Sequence, residues 1–478
     1  MASAPLPFSL DRRVAAMLIA AAVGIGIAAG VQFSSAIGLM ALIIAAAVAF
    51  LCSPLFLFGL YYGVSQFTAG VHVPYLPISL NQALFLATFL SLSRWLLMGQ
   101  LIRPRGWALW SMLALTLFLT ISALTGYSHE LGRIAAKTVI TLALMSLAIS
   151  STLNSPARIR QFCWAILLPT LANGAVAMAE SIVNHGIFDR RPDFFHGFFR
   201  VNGVAPNSIV FAHICLFALP FALYLCRHST HRWQRAMALL SAFFLLALTL
   251  RTFNRQSLLL MPILILGAAW LFRGALGKWM LIGVAAGAVI AGPVIIPTVI
   301  ARLQTFSQLG TDASFRIRRD NMINALQLLK EDPLFGAGLG SFPDAWWHVR
   351  SFRTFYNQYE VTPRVQEVDM SFIRLAGETG WTGLLLNIAY YLAMTMYVWR
   401  MRRRIIHQSS AANSALIDYL SILLLAWLFF ILTSAMQDTI LYVRSWLMFG
   451  MTAGLSALCR SWFMAEEGEA LPARMQIE

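Results

Sequence analysis

Three sets of residues in this chain have types and spacings suited to chemistry. The first is arginine: Arg200 between two apolar runs, Arg255 at the end of the short segment Arg251-Thr252-Phe253-Asn254-Arg255, and Arg318 beside Arg316 and Arg319. A guanidinium offers a planar fork that holds phosphate or carboxylate oxygens two at a time. The second set is acidic. Glu360, Glu367 and Asp369 lead to the mouth of an apolar span. A carboxylate there either caps the helix that follows or accepts the proton of a hydroxyl nucleophile. The third set is aromatic and basic, running through Phe342, Trp346, Trp347, His348, Arg350, Phe352, Arg353, Phe355, Tyr356 and Tyr359. Flat rings suit sugars, and they equally suit the bilayer interface, where Trp and Tyr are enriched.

Between these sets lies Gly336-Ala337-Gly338-Leu339-Gly340-Ser341. Its G-x-G-x-G spacing, with no βαβ unit around it, is not a dinucleotide fingerprint. It reads either as a backbone nest for phosphate or as a plain loop.

The elements that must position these residues are membrane spans. The 478 residues are 59% hydrophobic and 12% charged, with a mean hydropathy of +0.70, whereas a soluble domain is roughly 25% charged. Apolar runs fall near 14–31, 35–51, 54–68, 80–99, 106–125, 133–152, 160–183, 207–226, 235–251, 255–272, 279–299, 371–399, 415–435 and 439–459. Their length specifies an all-α polytopic membrane protein of about 12–14 spans. The absence of period-two alternation excludes a β-barrel. The short third run follows Cys52-Ser53-Pro54, so runs two and three form either two spans or one broken element. The chain divides into helices over 1–300, a large polar loop over 301–370, helices over 371–460 and a tail over 461–478.

The net charge of +15 would suggest nucleic acid in a soluble protein. Here the basic residues flank apolar runs, the pattern that fixes orientation. Strict alternation puts Arg103, Arg105, Arg158, Arg160, Arg227, Arg232, Arg235, Arg273, Lys278, Arg400, Arg402, Arg403, Arg404 and Arg460 on one side. Both termini are then cytoplasmic, with no cleaved signal peptide, and the 301–370 loop faces outward. Arg190, Arg191, Arg200, Arg251 and Arg255 fall on the outer side against that pattern. Each either snorkels to headgroups or meets an anion. Within the loop, residues 313–331 read as a helix with Phe315, Met322, Leu326 and Leu329 as its apolar stripe and Arg318 on or beside it. Cys52, Cys163, Cys215, Cys226 and Cys459 read as small core residues rather than a disulfide or zinc framework. The nine histidines form no H-x-x-x-H, and no D-x-D is present, so no metal or cofactor is expected.

With these residues in view, the chain resembles the family of bacterial O-antigen polymerases and O-antigen ligases. The resemblance is strongest over roughly 195–385. Arg200, Gly203, Pro206 and Asn207 are similar to the family's R-x-x-G and N-P-N segment, and Asn254-Arg255-Gln256 to its S-R-G motif. Arg318 through Gly340 resembles its R-x-x-x-W helix and P-h-x-G-x-G turn, with Met322 replacing the tryptophan. Glu367 through Gly383 resembles its acceptor-side motif and the G-x-x-G start of the next span. Where ligases of the family carry a His-Asn pair, this chain has Asp369-Met370, which is more like the polymerase branch.

The resemblance implies a membrane glycosyltransferase of the bacterial inner membrane, GT-C-like, with its loop in the periplasm. It would join polyprenyl-diphosphate-linked oligosaccharide repeats without a metal. Arg200, Arg255 and Arg318 would bind the diphosphate. Asp369, with Glu367 as the second candidate, would be the general base, and Trp346, Trp347, Arg350 and Asn207 would contact sugar. The implied partners are the lipid-linked substrate, membrane lipid and a chain-length regulator. The alternatives are a ligase transferring glycan to lipid A–core, which differs in acceptor, and a flippase or transporter. A transporter would place polar groups near mid-membrane, whereas here they gather at one face; Glu180 and Asp418 read as isolated charges near span ends or helix interfaces.

Overall fold

The computed structural model describes residues 47–66, 79–183, 194–195, 198–272, 313–348, 370–408, 414–436 and 441–460. The protein is an all-α polytopic membrane protein. Its described helices are α1 (Pro54–Val64), α2 (Leu80–Leu97), α3 (Trp107–Leu124), α4 (His129–Ser150), α5 (Pro156–Val183), α6 (Ser208–His228), α7 (Arg232–Arg251) and α8 (Arg255–Leu271). They continue with α9 (Ala313–Glu331), α10 (Phe342–His348), α11 (Ser371–Gln408), α12 (Ser414–Ser434) and α13 (Val443–Ala453). Six of these, α3 to α7 and α12, are long and apolar enough to cross a membrane. A two-residue antiparallel pairing, Phe194–Phe195 with Phe198–Phe199, precedes α6. The expected spans 14–31 and 279–299 lie outside the described residues.

Residues 47–51 are helical and stop at Cys52-Ser53, where Pro54 opens α1. Proline has no N–H for the ladder, so the helix breaks there. The carbonyls released by the break are taken by α2: Ser91 Oγ donates to Cys52 O at 2.6 Å and Arg94 Nη1 to Leu51 O at 2.8 Å. The described end of run two, residues 47–51, therefore meets α1 at a break.

At the centre stands α6, buried along almost its whole length and packed against α5, α7, α8 and α12. A helix that is apolar all round belongs inside a bundle. Around α12, Trp427, Tyr390, Tyr391, Phe430 and Phe449 interlock edge-on and stacked. Trp427 Nε1 donates to Thr452 Oγ1 at 2.9 Å, fixing α13 against α12.

The helices alternate in direction, giving the bundle two ends. One gathers the starts of α6, α8, α11 and α13, and we call it the loop end. At the other end, basic residues are tied into the fold. Asp418 takes Arg227 at 3.2 Å and His228 Nε2 at 2.7 Å. Arg402 donates to Ser421 Oγ at 2.9 Å and to Leu271 O at 3.1 Å. Arg158 Nη1 donates to Gln100 O at 2.7 Å. The five cysteines are free thiols, with Cys163, Cys215 and Cys459 buried.

The loop helix α9 forms at Ala313–Glu331, where the spacing places it, and of the expected stripe Leu329 is buried but Met322 and Leu326 are not. Met322 is 40% and Leu326 44% exposed, while Asn321, Ala325, Leu328 and Leu329 are buried. The reason is close approach. A methyl group at Gly377 of α11 would sit 3.1 Å from the Ala325 Cα, so the seam is built from small residues.

Candidate functional site

The loop end holds two irregular segments, each pinned by a buried carboxylate. The first runs from Arg200 to Asn207. Glu180, near the end of α5, accepts the N–H groups of Asn202 at 3.3 Å and Gly203 at 2.7 Å. Asn173 Oδ1, two turns earlier on the same helix, accepts Val204 N–H at 2.8 Å, and its Nδ2 donates to Gln66 Oε1 at 2.8 Å. Gly203 has φ 55°, a left-handed conformation natural to glycine, and a side chain there would collide with Asn173. Asn207 then caps α6, its Oδ1 accepting Val210 N–H at 2.9 Å. That oxygen supplies the cap expected of asparagine before a helix.

This segment is laid against the turn between α7 and α8. Arg200 Nε donates to Thr252 O at 3.0 Å. Three residues on, Arg255 is the first residue of α8, and Asn254 caps that helix with Oδ1 on Gln256 N–H at 3.3 Å. Phe253 between them has φ 47°, a strained value for a bulky residue, costing of order 1–3 kcal/mol. Arg251 Nη2 donates to Ser181 Oγ at 2.6 Å, so this arginine ties α7 to α5. Gln256 Nε2 reaches Met436 O at 2.9 Å, bringing in the end of α12. Arg200 and Arg255, far apart in sequence, thus belong to one construction, and the starts of α6 and α8 both point toward it. A helix start carries partial positive charge and unpaired N–H groups, which favour anions.

The second segment is the glycine turn. Gly380 breaks α11 with φ 64° and ψ −170°, and the groups released there pair with residues 333–338. Ala337 N–H donates to Gly377 O at 3.0 Å and Gly338 N–H to Glu378 O at 2.6 Å. In return Trp381 N–H donates to Pro333 O at 2.9 Å. Across from α11, Tyr127 N–H donates to Ala337 O at 2.9 Å and Leu339 N–H to Ser122 Oγ at 3.2 Å. Glu378, fully buried, pairs with Arg374 at 3.0 Å and accepts Phe342 N–H at 3.2 Å. The amides that would line a phosphate nest are spent on docking. Of the two readings of this turn, the structure takes the loop.

The remaining expected residues are placed as follows. Arg318 is on α9, and Trp346 and Trp347 are on α10; their side chains lie outside the described residues, as do Arg350, Glu367 and Asp369 entirely. Glu180 and Asp418, expected near span ends or helix interfaces, hold loop amides and a basic pair respectively. Asn173 and Gln66 carried no local signal, being ordinary polar residues within apolar stretches. Arg444 did carry one, since it sits inside the 439–459 run, yet only the helix packing shows what surrounds it.

A sequence-family model described as O-antigen ligase matches residues 236–388. Over that segment the chain is similar to the O-antigen ligase and polymerase family. No curated protein matches it. The family segment spans most of α7, all of α8, α9 and α10, and the first part of α11. It therefore includes the Arg251–Arg255 turn and the docked glycine turn. Arg200, Glu180 and Asn207 are contributed from before it, and α12 and α13 from after it. The match supports glycan assembly of the O-antigen ligase and polymerase type.

Proposed function

We propose that the protein polymerises polyprenyl-diphosphate-linked oligosaccharide repeats at the periplasmic face of a bacterial inner membrane. One observation carries this reading: Arg200 is hydrogen-bonded at 3.0 Å to the turn that starts α8 with Arg255. Two guanidinium-bearing segments and two helix starts at one point suit a diphosphate leaving group.

In the proposed step a hydroxyl oxygen of the acceptor sugar attacks the anomeric carbon of the donor. The carbon–oxygen bond to the diphosphate breaks, and its electron pair leaves with the diphosphate. The hydroxyl proton passes to Asp369, with Glu367 as the second candidate. Arg200, Arg255 and Arg318 neutralise the growing charge, and the flat rings of Trp346 and Trp347, with Arg350 and Asn207, hold sugar. Direct displacement inverts the anomeric centre. Asp369 in place of the ligase histidine favours polymerase, and a chain-length regulator fits that role. The second reading is a ligase acting on lipid A–core, favoured by the description of the matched family.

The test uses the purified chain with a polyprenyl-diphosphate oligosaccharide from its host, following released polyprenyl diphosphate and product size. A ladder of repeats, lost in Arg255→Ala and Asp369→Asn, supports the polymerase. A single transfer that requires lipid A–core makes the protein a ligase. No released diphosphate from well-folded protein removes both.

A further inference from the structure

The loop helix α9 buries one side and shows the other. Asn321, Asn324, Ala325, Leu328 and Leu329 are buried, while Arg319, Met322, Ile323, Leu326 and Lys330 are exposed. At about 100° per residue the exposed five fall within one stripe about 100° wide, apolar in the middle and cationic at both ends. The turn that follows adds to it: Leu334 and Phe335 are each 61% exposed. Large apolar side chains gathered in this way on a polar loop mark a surface that meets something other than water.

Backbone bonds fix where these residues stand along the bundle. Trp381 N–H donates to Pro333 O at 2.9 Å and Ala337 N–H to Gly377 O at 3.0 Å, so Leu334 and Phe335 are held beside the Gly380 break in α11. From Trp381 to Trp399 that helix carries no charged residue. At about 1.5 Å per residue this stretch nearly matches the apolar thickness of a bilayer. Along it Trp381, Leu385, Leu392 and Met396 are exposed at helical spacing, the side that would face lipid. Trp381 opens that stripe, and tryptophan is enriched where a span meets the membrane surface. The exposed turn of α9 therefore begins one hydrogen bond away from where the lipid-facing stripe of α11 begins.

The acids nearby are placed outside the apolar stripe. Asp332 Oδ1 accepts Phe335 N–H at 3.1 Å, which closes the turn. Glu331 is exposed, but by helical spacing it lies about a quarter turn from the edge of the stripe.

We propose that α9 and its turn form an interfacial anchor whose occupant is phospholipid of the leaflet at the loop end. Met322, Ile323, Leu326, Leu334 and Phe335 enter the acyl boundary, and Arg319 and Lys330 extend to the phosphate headgroups. An amphipathic helix lies in a membrane surface in this way, with its basic side chains reaching up to the polar layer. The inference goes beyond the glycan-assembly reading and stands equally for a polymerase or a ligase. It gives the exposed side of α9 a role of its own: the buried side docks the helix on α11, and the exposed side holds the loop down on the bilayer.

The experiment places a photoreactive benzophenone side chain in the full chain, one site at a time, at Leu326, Phe335, Glu331 and Leu385. Each protein is put into nanodiscs of phosphatidylethanolamine and phosphatidylglycerol, and phospholipid adducts are read by mass spectrometry after illumination. Leu326 and Phe335 should give adducts within about threefold of Leu385, the reference within the span, and Glu331 about tenfold fewer, as a helix with one face in the interface requires. Leu326 and Phe335 sit on separate elements, so a site lost to misfolding leaves the other to decide. Adducts at Leu385 with none at Leu326 or Phe335 overturn the proposal. Equal adducts at Glu331 and Leu326 overturn the assignment of this face. In cell membranes, adducts of Leu326 and Phe335 with a second copy of the chain or with another protein, in place of lipid, would make the patch a protein interface and overturn the bilayer as its occupant.

Discussion

The two irregular segments at the loop end are built alike and differ in what they leave over. In both, a buried carboxylate pins backbone N–H groups: Glu180 holds Asn202 and Gly203, and Glu378 holds Phe342. The glycine segment then consumes its remaining polar groups against α11 and against the α3–α4 turn. The arginine segment instead brings guanidinium-bearing residues and two helix starts to one place. Glycines, which at first sight suggest a phosphate cradle, here make a joint. The proposed anion site lies in the half that gathers the arginines. The comparison separates architecture from chemistry, and it can be broken by mutation.

The largest effect is expected at Glu378. It is fully buried and paired with Arg374, itself nearly buried, and removing one partner of such a pair costs about 3–5 kcal/mol. Glu378→Ala should lower the thermal unfolding midpoint in detergent and open residues 333–342 to protease. An unchanged midpoint with an intact turn would show that backbone bonds alone hold the joint.

Arg255→Ala should do the opposite. Turnover, measured as released polyprenyl diphosphate, should fall about 10²–10³-fold, the typical loss of a group that stabilises developing charge. The unfolding midpoint should stay near that of wild type. A parallel loss of stability and activity would erase the distinction between the two halves.

Gly338→Ala sharpens the joint reading at a smaller scale. Gly338 has φ 94°, and a side chain there would overlap the Gly126 Cα. Strain of this kind is worth about 1–3 kcal/mol, visible in the unfolding midpoint. If the turn bound phosphate instead, Gly338→Ala would raise KM for the lipid substrate while leaving the midpoint unchanged.

Much of this was legible in the sequence because a bilayer writes itself into hydropathy. The span class, the helix at 313–331 and its end at Glu331 all follow from apolar length, period and the proline after it. Arg200 and Arg255 stood out as charges against the expected orientation pattern. Their convergence was not legible, because it depends on a hydrogen bond between residues 52 positions apart. The buried face of α9 was misjudged for a different reason. Pattern reading favours large residues such as Met322 and Leu326, while the real seam is the small pair Ala325 and Gly377. Nor does a G-x-G-x-G string say whether its amides are offered or consumed, since that is decided by the break at Gly380.

The smallest predicted effect tests how the arginine half is held. Glu180 is not proposed to touch substrate; it positions Arg200 through the amides of Asn202 and Gly203. Glu180→Gln keeps a carbonyl oxygen to accept those bonds and loses the charge assistance, a change of about 1 kcal/mol in stability. If Glu180 acts only by placing Arg200, its effect on kcat/KM should vanish once Arg200 is alanine. Double-mutant cycles on turnover measure that coupling directly. Full additivity of Glu180→Gln and Arg200→Ala would mean that the carboxylate and the arginine serve separate purposes. Strong coupling would mean that the buried acid exists to aim the base, just as Glu378 exists to close the turn.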